Sequence, residues 1–262
     1  MAEWKKGEFC WTEVAVSDLE KAKGFYSKVL GWEYDEVPMP NDSGTSYLMW
    51  KVKGVQSGGM FELADEQKKM NIPSHWLNYF HTDSTDDFVS NAKKGGCQVT
   101  VPPMDVGDMG RMCIMADPAG ASFACWQPGK NQKDMAPRFS QGKVAWRELM
   151  TTDVEKAGKF YSTILGWDIE SADMGEFTYH SFKLGDSYEA GMMQITPDMG
   201  GMPSNWVTYI NVDDCDEAVG RIEANGGKAL HEIRDVPQVG RFCTVMDNVG
   251  ATFAVITMPR ES

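Results

Sequence analysis

The stretch WTEVAVSDLEKAKGFYSKVLGW, Trp11 to Trp32, is written a second time as WRELMTTDVEKAGKFYSTILGW, Trp146 to Trp167. Twelve of the 22 positions are identical, at an offset of 135 residues. A repeat this long fixes the architecture before any single residue is weighed. Each copy opens as a strand. By alternation Trp11, Glu13 and Ala15 share one face, and Thr12, Val14 and Val16 the other. Ser17–Glu20 and Thr152–Glu155 match the capping-box pattern, which satisfies the first amides of a helix. Ala22, Tyr26, Val29 and Leu30 then fall on one helical stripe, which reads as core. Gly31 and Gly166 stand where the chain leaves the helix, the usual place for a left-handed residue.

Outward from the repeat, Trp32 to Leu63 reads as three short strands. A second unit opens at PSHWLNYFHTD, Pro73 to Asp83, and runs into a helix ending at Gly95-Gly96. It closes with strands, the last after the turn Asp117-Pro118-Ala119-Gly120. The same plan returns in the second half. MPSNWVTYINVDD (202–214) answers IPSHWLNYFHTDS (72–84), and GRFCTVMDNVGATFAVI (240–256) answers GRMCIMADPAGASFACW (110–126). The expected fold is therefore α+β: a tandem duplication in which each half holds two βαβββ modules. The expected boundaries are 1–127 and 143–262. Between them 128–142, PGKNQKDMAPRFSQG, lacks periodicity and reads as a linker. Duplicated domains that once paired as a homodimer keep an equivalent contact within one chain, so the halves are expected to pack as an intramolecular pseudo-dimer.

Composition excludes several classes. Of 262 residues, 25 are Lys or Arg and 38 are Asp or Glu, a net charge of −13. Nucleic acid and anionic membranes demand basic surface, so neither is expected as a partner. No apolar run approaches the roughly 20 residues of a membrane helix. The opening MAEWKKGEFCW lacks the apolar centre of a secretion signal, and the expected location is the cytoplasm. Six cysteines without a Cys-x-x-Cys pair read as buried reduced thiols.

The strand–SDLEKAxxFY–LGW opening, the W-x-x-Y-F-x-x-D strand and the D-P-x-G-A-x-F turn resemble the vicinal oxygen chelate superfamily. That superfamily includes glyoxalase I, bleomycin-resistance proteins and extradiol dioxygenases; among them the likeness is to two-domain glyoxalase-like proteins related to lactoylglutathione lyase. The resemblance implies curved, cup-shaped sheets and a small-molecule ligand held in the cup. It also implies metal ligands at three strand positions. These fall here on Trp11 and Trp146, near Trp76 or Leu77 and Trp206 or Val207, and on Ala124 and Ala254. None supplies the imidazole or carboxylate that a first-row metal needs, so no metal or other cofactor is expected.

Other residues carry the candidate chemistry. Glu13 and Glu148 share strand parity with Trp11 and Trp146, and a carboxylate beside aromatics suits a general base. Arg111 and Arg241 recur at matching positions and, with Trp11 and Trp146, are candidate ligand-binding residues; a Glu–Arg pair orienting the strands is the bland alternative to a catalytic role. Trp76, Tyr79, Trp206 and Tyr209 offer an aromatic wall for a planar ligand, with core packing as the rival reading. His75, the histidine nearest a ligand position, has Asn205 as its repeat partner. Three activities stay open: a metal-independent enzyme, a non-catalytic protein sequestering a drug or metabolite, and a metal-dependent lyase or dioxygenase with substituted ligands.

Overall fold

The protein is described from a computed structural model, which places residues 4–38, 46–129 and 142–259. Most of the expected linker, 130–141, lies outside the described residues. The strand–helix–three-strand module recurs as the repeats require. The first runs β1 (Phe9–Val16), α1 (Leu19–Leu30), β2 (Glu33–Pro38), β3 (Ser46–Val52) and β4 (Val55–Glu62). A short α2 (Asp65–Lys69) leads to β5 (His75–His81), α3 (Thr85–Lys94), β6 (Gln98–Val106), β7 (Gly110–Ala116) and β8 (Ser122–Pro128). The third module is β9 (Val144–Thr151), α4 (Val154–Leu165), β10 (Asp168–Asp173), β11 (Thr178–Leu184) and β12 (Ser187–Gln194). The fourth is β13 (Asn205–Asn211), α5 (Cys215–Ala224), β14 (Lys228–Ala229), β15 (Arg234–Val236), β16 (Gly240–Met246) and β17 (Thr252–Thr257).

The strands form two mixed sheets, ordered β2-β3-β4-β1-β5-β8-β7-β6 and β10-β11-β12-β9-β13-β17-β16-β14, with β15 also paired to β16. Within each module the strand before the helix pairs in parallel with the last strand, β1 with β4 and β9 with β12. The fourth module departs from its copy at the edge. Where β6 continues past Val101, paired with Ile114, the second copy breaks after Ala229. There the imidazole of His231 accepts the Thr244 amide at 3.1 Å through Nε2, taking the place of a ladder carbonyl.

Helix ends follow the sequence with one correction. Gly31 and Gly166 are left-handed, at φ 69° and 73°. The caps, however, are Asp18 and Asp153, whose side chains accept from Lys21 N and Lys156 N. The expected capping boxes on Ser17 and Thr152 start one residue too early. The three-residue spacing from cap oxygen to amide is kept, but it is the aspartate that meets it.

The chain divides into two compact units that do not follow its sequence halves. Of the described residues, one gathers 4–11, 77–129 and 146–206, and the other gathers 12–38, 46–76, 142–145 and 207–259. In the first unit α3 packs on α4, over a core that includes Phe80, Phe123, Phe160, Tyr161 and Trp206. In the second unit α1 packs on α5, over Tyr26, Trp32, Trp50, Trp76 and Phe253. Each such ring taken from water stabilises by about 1.5–3 kcal/mol. Trp32 stacks flat on Trp50, with centroids 4.0 Å apart and planes within 4°.

A polar tie sits inside each core. Tyr161 donates to Asp117 at 3.0 Å and accepts Trp206 Nε1 at 3.0 Å. Tyr26 donates to Asp247 at 2.8 Å. The tyrosine of the FYS repeat thus binds the aspartate of the closing turn written in the other half. All six cysteines are buried free thiols. Cys113 and Cys125 face each other across β7 and β8, with sulfurs 3.0 Å apart.

Candidate functional site

Val14 and Val16 enter the core beneath the helices, so alternation turns Trp11, Glu13 and Ala15 to the other face of β1. Glu13 is 6% exposed there and Glu148, its copy on β9, is 8% exposed. Carboxylates are rarely so enclosed without partners. Tyr47 donates its hydroxyl to Glu13 at 2.8 Å, and Tyr179 donates to Glu148 at 2.9 Å. Trp146 Nε1 in turn donates to the Tyr179 oxygen at 3.1 Å. A one-way chain results, from indole to phenol to carboxylate. Burial, and next the Glu148 charge, push the Tyr179 phenol well above its ordinary pKa, so it stays protonated as a donor.

A glycine makes room for each tyrosine. Gly59 and Gly191 lie directly opposite Glu13 and Glu148 in the ladders. A Cβ on Gly59 would stand 1.7 Å from the Tyr47 oxygen, and one on Gly191 2.0 Å from the Tyr179 oxygen. Neither is a tolerable contact, so the hydroxyl occupies the space a side chain would fill. Sequence reading found the glutamates but missed the tyrosines and glycines. A signal existed: Tyr47 and Gly59 are 12 residues apart, as are Tyr179 and Gly191. Their offset between copies is 132, whereas the opening repeat runs at 135, so extending that repeat in register does not align them.

The other candidates divide. Trp11 and Trp146 are half-buried on the strand faces that carry the glutamates. Tyr79 and Tyr209 are 3% and 7% exposed, and pair across their ladders with Ala124 and Ala254. Phe242 lies edge-on to Tyr209 at 5.8 Å. Trp76 and Trp206 belong instead to the helix-side cores, Trp76 against Tyr26 and Trp206 against Tyr161. The expected wall of four aromatics is therefore corrected. Positions 76 and 79 differ by an odd number, so a strand turns them to opposite faces.

The expected Glu–Arg pairing is corrected as well. Arg111 bonds Asp86 at 3.0 and 3.1 Å and Asp105 at 2.9 Å. Arg241 bonds Asp216 at 2.6 and 2.8 Å and lies 3.8 Å from Asp235. Asp86 and Asp216 sit in the first turns of α3 and α5. Each arginine thus ties a helix start to a neighbouring strand near the surface.

A metal does not fit the implied positions, which hold Trp11, Leu77 and Ala124 in one copy and Trp146, Val207 and Ala254 in the other. Among the described residues no group of three His, Cys, Asp or Glu could hold an ion. His75 turns back to the Pro73 carbonyl at 2.8 Å, as Asn205 does to Pro203 at 2.8 Å. Both serve the same turn.

Residues 9–124 match the model of the glyoxalase/bleomycin resistance protein/dioxygenase superfamily, and 143–181 match that of the bleomycin resistance protein-like N-terminal family. CFP32 of Mycobacterium bovis is 32% identical over 256 residues, covering 97% of this chain and 96% of that protein. The anthracycline biosynthesis protein DnrV of Streptomyces peucetius is 28% identical over 266 residues, covering 98% and 96%. Two solved structures share the fold at low identity. One is the Mn(II)-bound glyoxalase of Novosphingobium aromaticivorans, with TM-score 0.63 and 17% identity over 97% of this chain and 82% of that one. The other is 2,2',3-trihydroxybiphenyl 1,2-dioxygenase of Sphingomonas wittichii, with TM-score 0.65 and 10% identity over 97% and 91%.

Proposed function

The chain belongs to the glyoxalase/bleomycin resistance protein/dioxygenase superfamily, and from that premise we propose that it binds a small organic molecule against Glu13–Tyr47 and Glu148–Tyr179, without a transition metal. The observation that carries this reading is the buried carboxylate, bonded to a tyrosine hydroxyl and faced by a glycine, in both copies. The donor set supports the second clause, because tryptophan, leucine, valine and alanine offer a cation nothing.

In an enzyme of this design Glu148 takes a proton from the ligand, while Tyr179, held protonated, steadies the carboxylate. Presence of the same pair in both copies favours a second reading, a non-catalytic protein that holds a drug or metabolite, because chemistry needs one working site. The boundaries 1–127 and 143–262 remain part of the proposal, as does an intramolecular pseudo-dimer. The boundaries are supported by the two sheets, one built from β1–β8 and the other from β9–β17, and the pseudo-dimer by the packing of α1 on α5 and of α3 on α4 across the halves.

The test is calorimetric titration of protein dialysed against EDTA, with anthracyclines, catechols, and 1,2-dicarbonyls with and without glutathione. DnrV, named for anthracycline biosynthesis, puts anthracyclines first. Binding that survives the chelator, and weakens in Glu13→Gln/Glu148→Gln, is expected. Binding or turnover that requires added divalent metal overturns the reading. Turnover lost with binding kept in the glutamine variant separates enzyme from carrier.

A further inference from the structure

We infer that the second unit carries a further binding site, apart from the two glutamates, which takes a small organic anion: a phosphate ester or a carboxylate with an apolar body. The site is an open cavity of about 290 Å³ at the C-terminal end of α1, with Lys28 and Arg221 as its cations, Val29, Leu30 and Val212 as its apolar wall, and no acidic residue lining it. Ligand pockets start at roughly 300 Å³, so the occupant is small. Arg221 reaches over from α5 and donates Nε to the Val29 carbonyl at 3.3 Å. Its Nη1 lies 3.5 Å from Glu217, an exposed pair of the weakly held kind, and its Nη2 has no partner among the described residues. Lys28 is exposed and makes no hydrogen bond or ion pair among the described residues. A planar guanidinium fork beside a flexible ammonium suits a phosphate or carboxylate head.

The duplication supplies a control. Gly7 and Gly142 hold the same place: their amides donate to His81 and Asn211, and their carbonyls accept the indoles of Trp167 and Trp32. Around Gly7, however, the repeat writes Thr163 for Lys28, Asn91 for Arg221 and Glu8 for Lys143. Three cations stand against two neutral residues and an acid on one backbone plan. Helix α4 ends in the same left-handed glycine, bonded to the same serine carbonyl as in α1, with no basic residue in its last turn. Neither the cap nor the helix dipole therefore requires Lys28 or Arg221. Lys143, next to Gly142, is 7% exposed and has no acidic partner among the described residues. Burial, and then the charge of Lys53, hold its amine below the ordinary pKa. An enclosed cation without a counter-charge is costly, and an anion in the cavity supplies one.

The test follows backbone amides by proton–nitrogen correlation NMR while the full-length protein is titrated with phenyl phosphate, benzoate, benzyl alcohol and inorganic phosphate. Phenyl phosphate or benzoate is expected to move the Gly31 and Gly142 amides saturably, and to bind about tenfold more tightly than the neutral alcohol through its charge-assisted contacts. Lys28→Thr/Arg221→Asn writes the other copy's residues into the cavity and is expected to weaken that binding about tenfold. Lys28→Thr alone, at an exposed side chain, is expected to weaken it in the same direction and does not depend on the double variant folding. Glu13→Gln/Glu148→Gln is expected to leave it unchanged, so this inference and the proposed function fail separately. No movement at either glycine with millimolar probe overturns the inference. Alcohol that binds as tightly as the anions does so too, as does an affinity unchanged in Lys28→Thr/Arg221→Asn. Inorganic phosphate that binds as tightly as both aryl anions overturns the organic class.

Discussion

Replacing Tyr161 by Phe removes one oxygen from the centre of the first unit and leaves two polar groups to settle. Asp117 loses the hydroxyl at 3.0 Å but keeps the Ala119 and Ala121 amides at 2.8 and 3.0 Å. Losing a bond to such a group costs about 1–3 kcal/mol. Trp206 Nε1, bonded to the same oxygen at 3.0 Å and 5% exposed as a residue, is orphaned. A buried unsatisfied donor adds about 1–3 kcal/mol. The total is about 2–6 kcal/mol. The copy provides an internal control, because Tyr26 donates to Asp247 at 2.8 Å, whereas Trp76 Nε1 makes no hydrogen bond among the described residues. Tyr26→Phe therefore incurs the first cost without the second. Urea unfolding followed by tryptophan fluorescence and far-UV circular dichroism gives both values. Tyr161→Phe should cost more by about 1–3 kcal/mol, with an unchanged slope. A Tyr26→Phe cost equal to or above it would refute the accounting.

Asp117 and Asp247 both have raised pKa values, chiefly through burial. A raised carboxylate contributes stability that is fully present below its unfolded pKa and is lost as pH rises through the folded one. The cost of Asp117→Asn should accordingly shrink between pH 4 and pH 7 in urea titrations; a cost that grows refutes the sign. Gly191→Ala should destabilise by about 1–3 kcal/mol through overpacking against Tyr179. Its crystal structure should show the Tyr179–Glu148 bond broken, and an unmoved ring would contradict the close approach. Residues 4–129 and 142–259, expressed apart, should associate on mixing in sedimentation velocity, since α3 needs α4 and α1 needs α5. Halves that stay monomeric would refute that dependence.

The parts of the fold legible in the sequence were those written by local periodicity. Alternation put Glu13 and Glu148 opposite Val14 and Leu149, and the glycines after Leu30 and Leu165 ended their helices as left-handed residues. Local rules failed where a contact joins distant elements. Tyr47 meets Glu13 only because β3 and β1 both flank β4, and no spacing along the chain states that. The aromatic wall fails for a simpler reason: strand parity, not residue type, decides the face, and it turns Trp76 and Trp206 into the helix-side cores.

The FYS tyrosine and the closing-turn aspartate show the same limit in reverse. Both recur as marks of the repeat, each inside its own half, yet Tyr26 bonds Asp247 and Tyr161 bonds Asp117. Each pair lies within one compact unit while joining the two halves of the chain. A buried tyrosine and a buried carboxylate are each costly alone, and each is satisfied by the partner that the other half supplies. The repeat is thus kept where the halves depend on each other. The glutamates depend on tyrosines of their own halves, Glu13 on Tyr47 and Glu148 on Tyr179. Substitution at a closing-turn aspartate should therefore loosen the pairing of the halves, read as weaker association of separately expressed halves in sedimentation velocity, and association that is unchanged would refute the dependence.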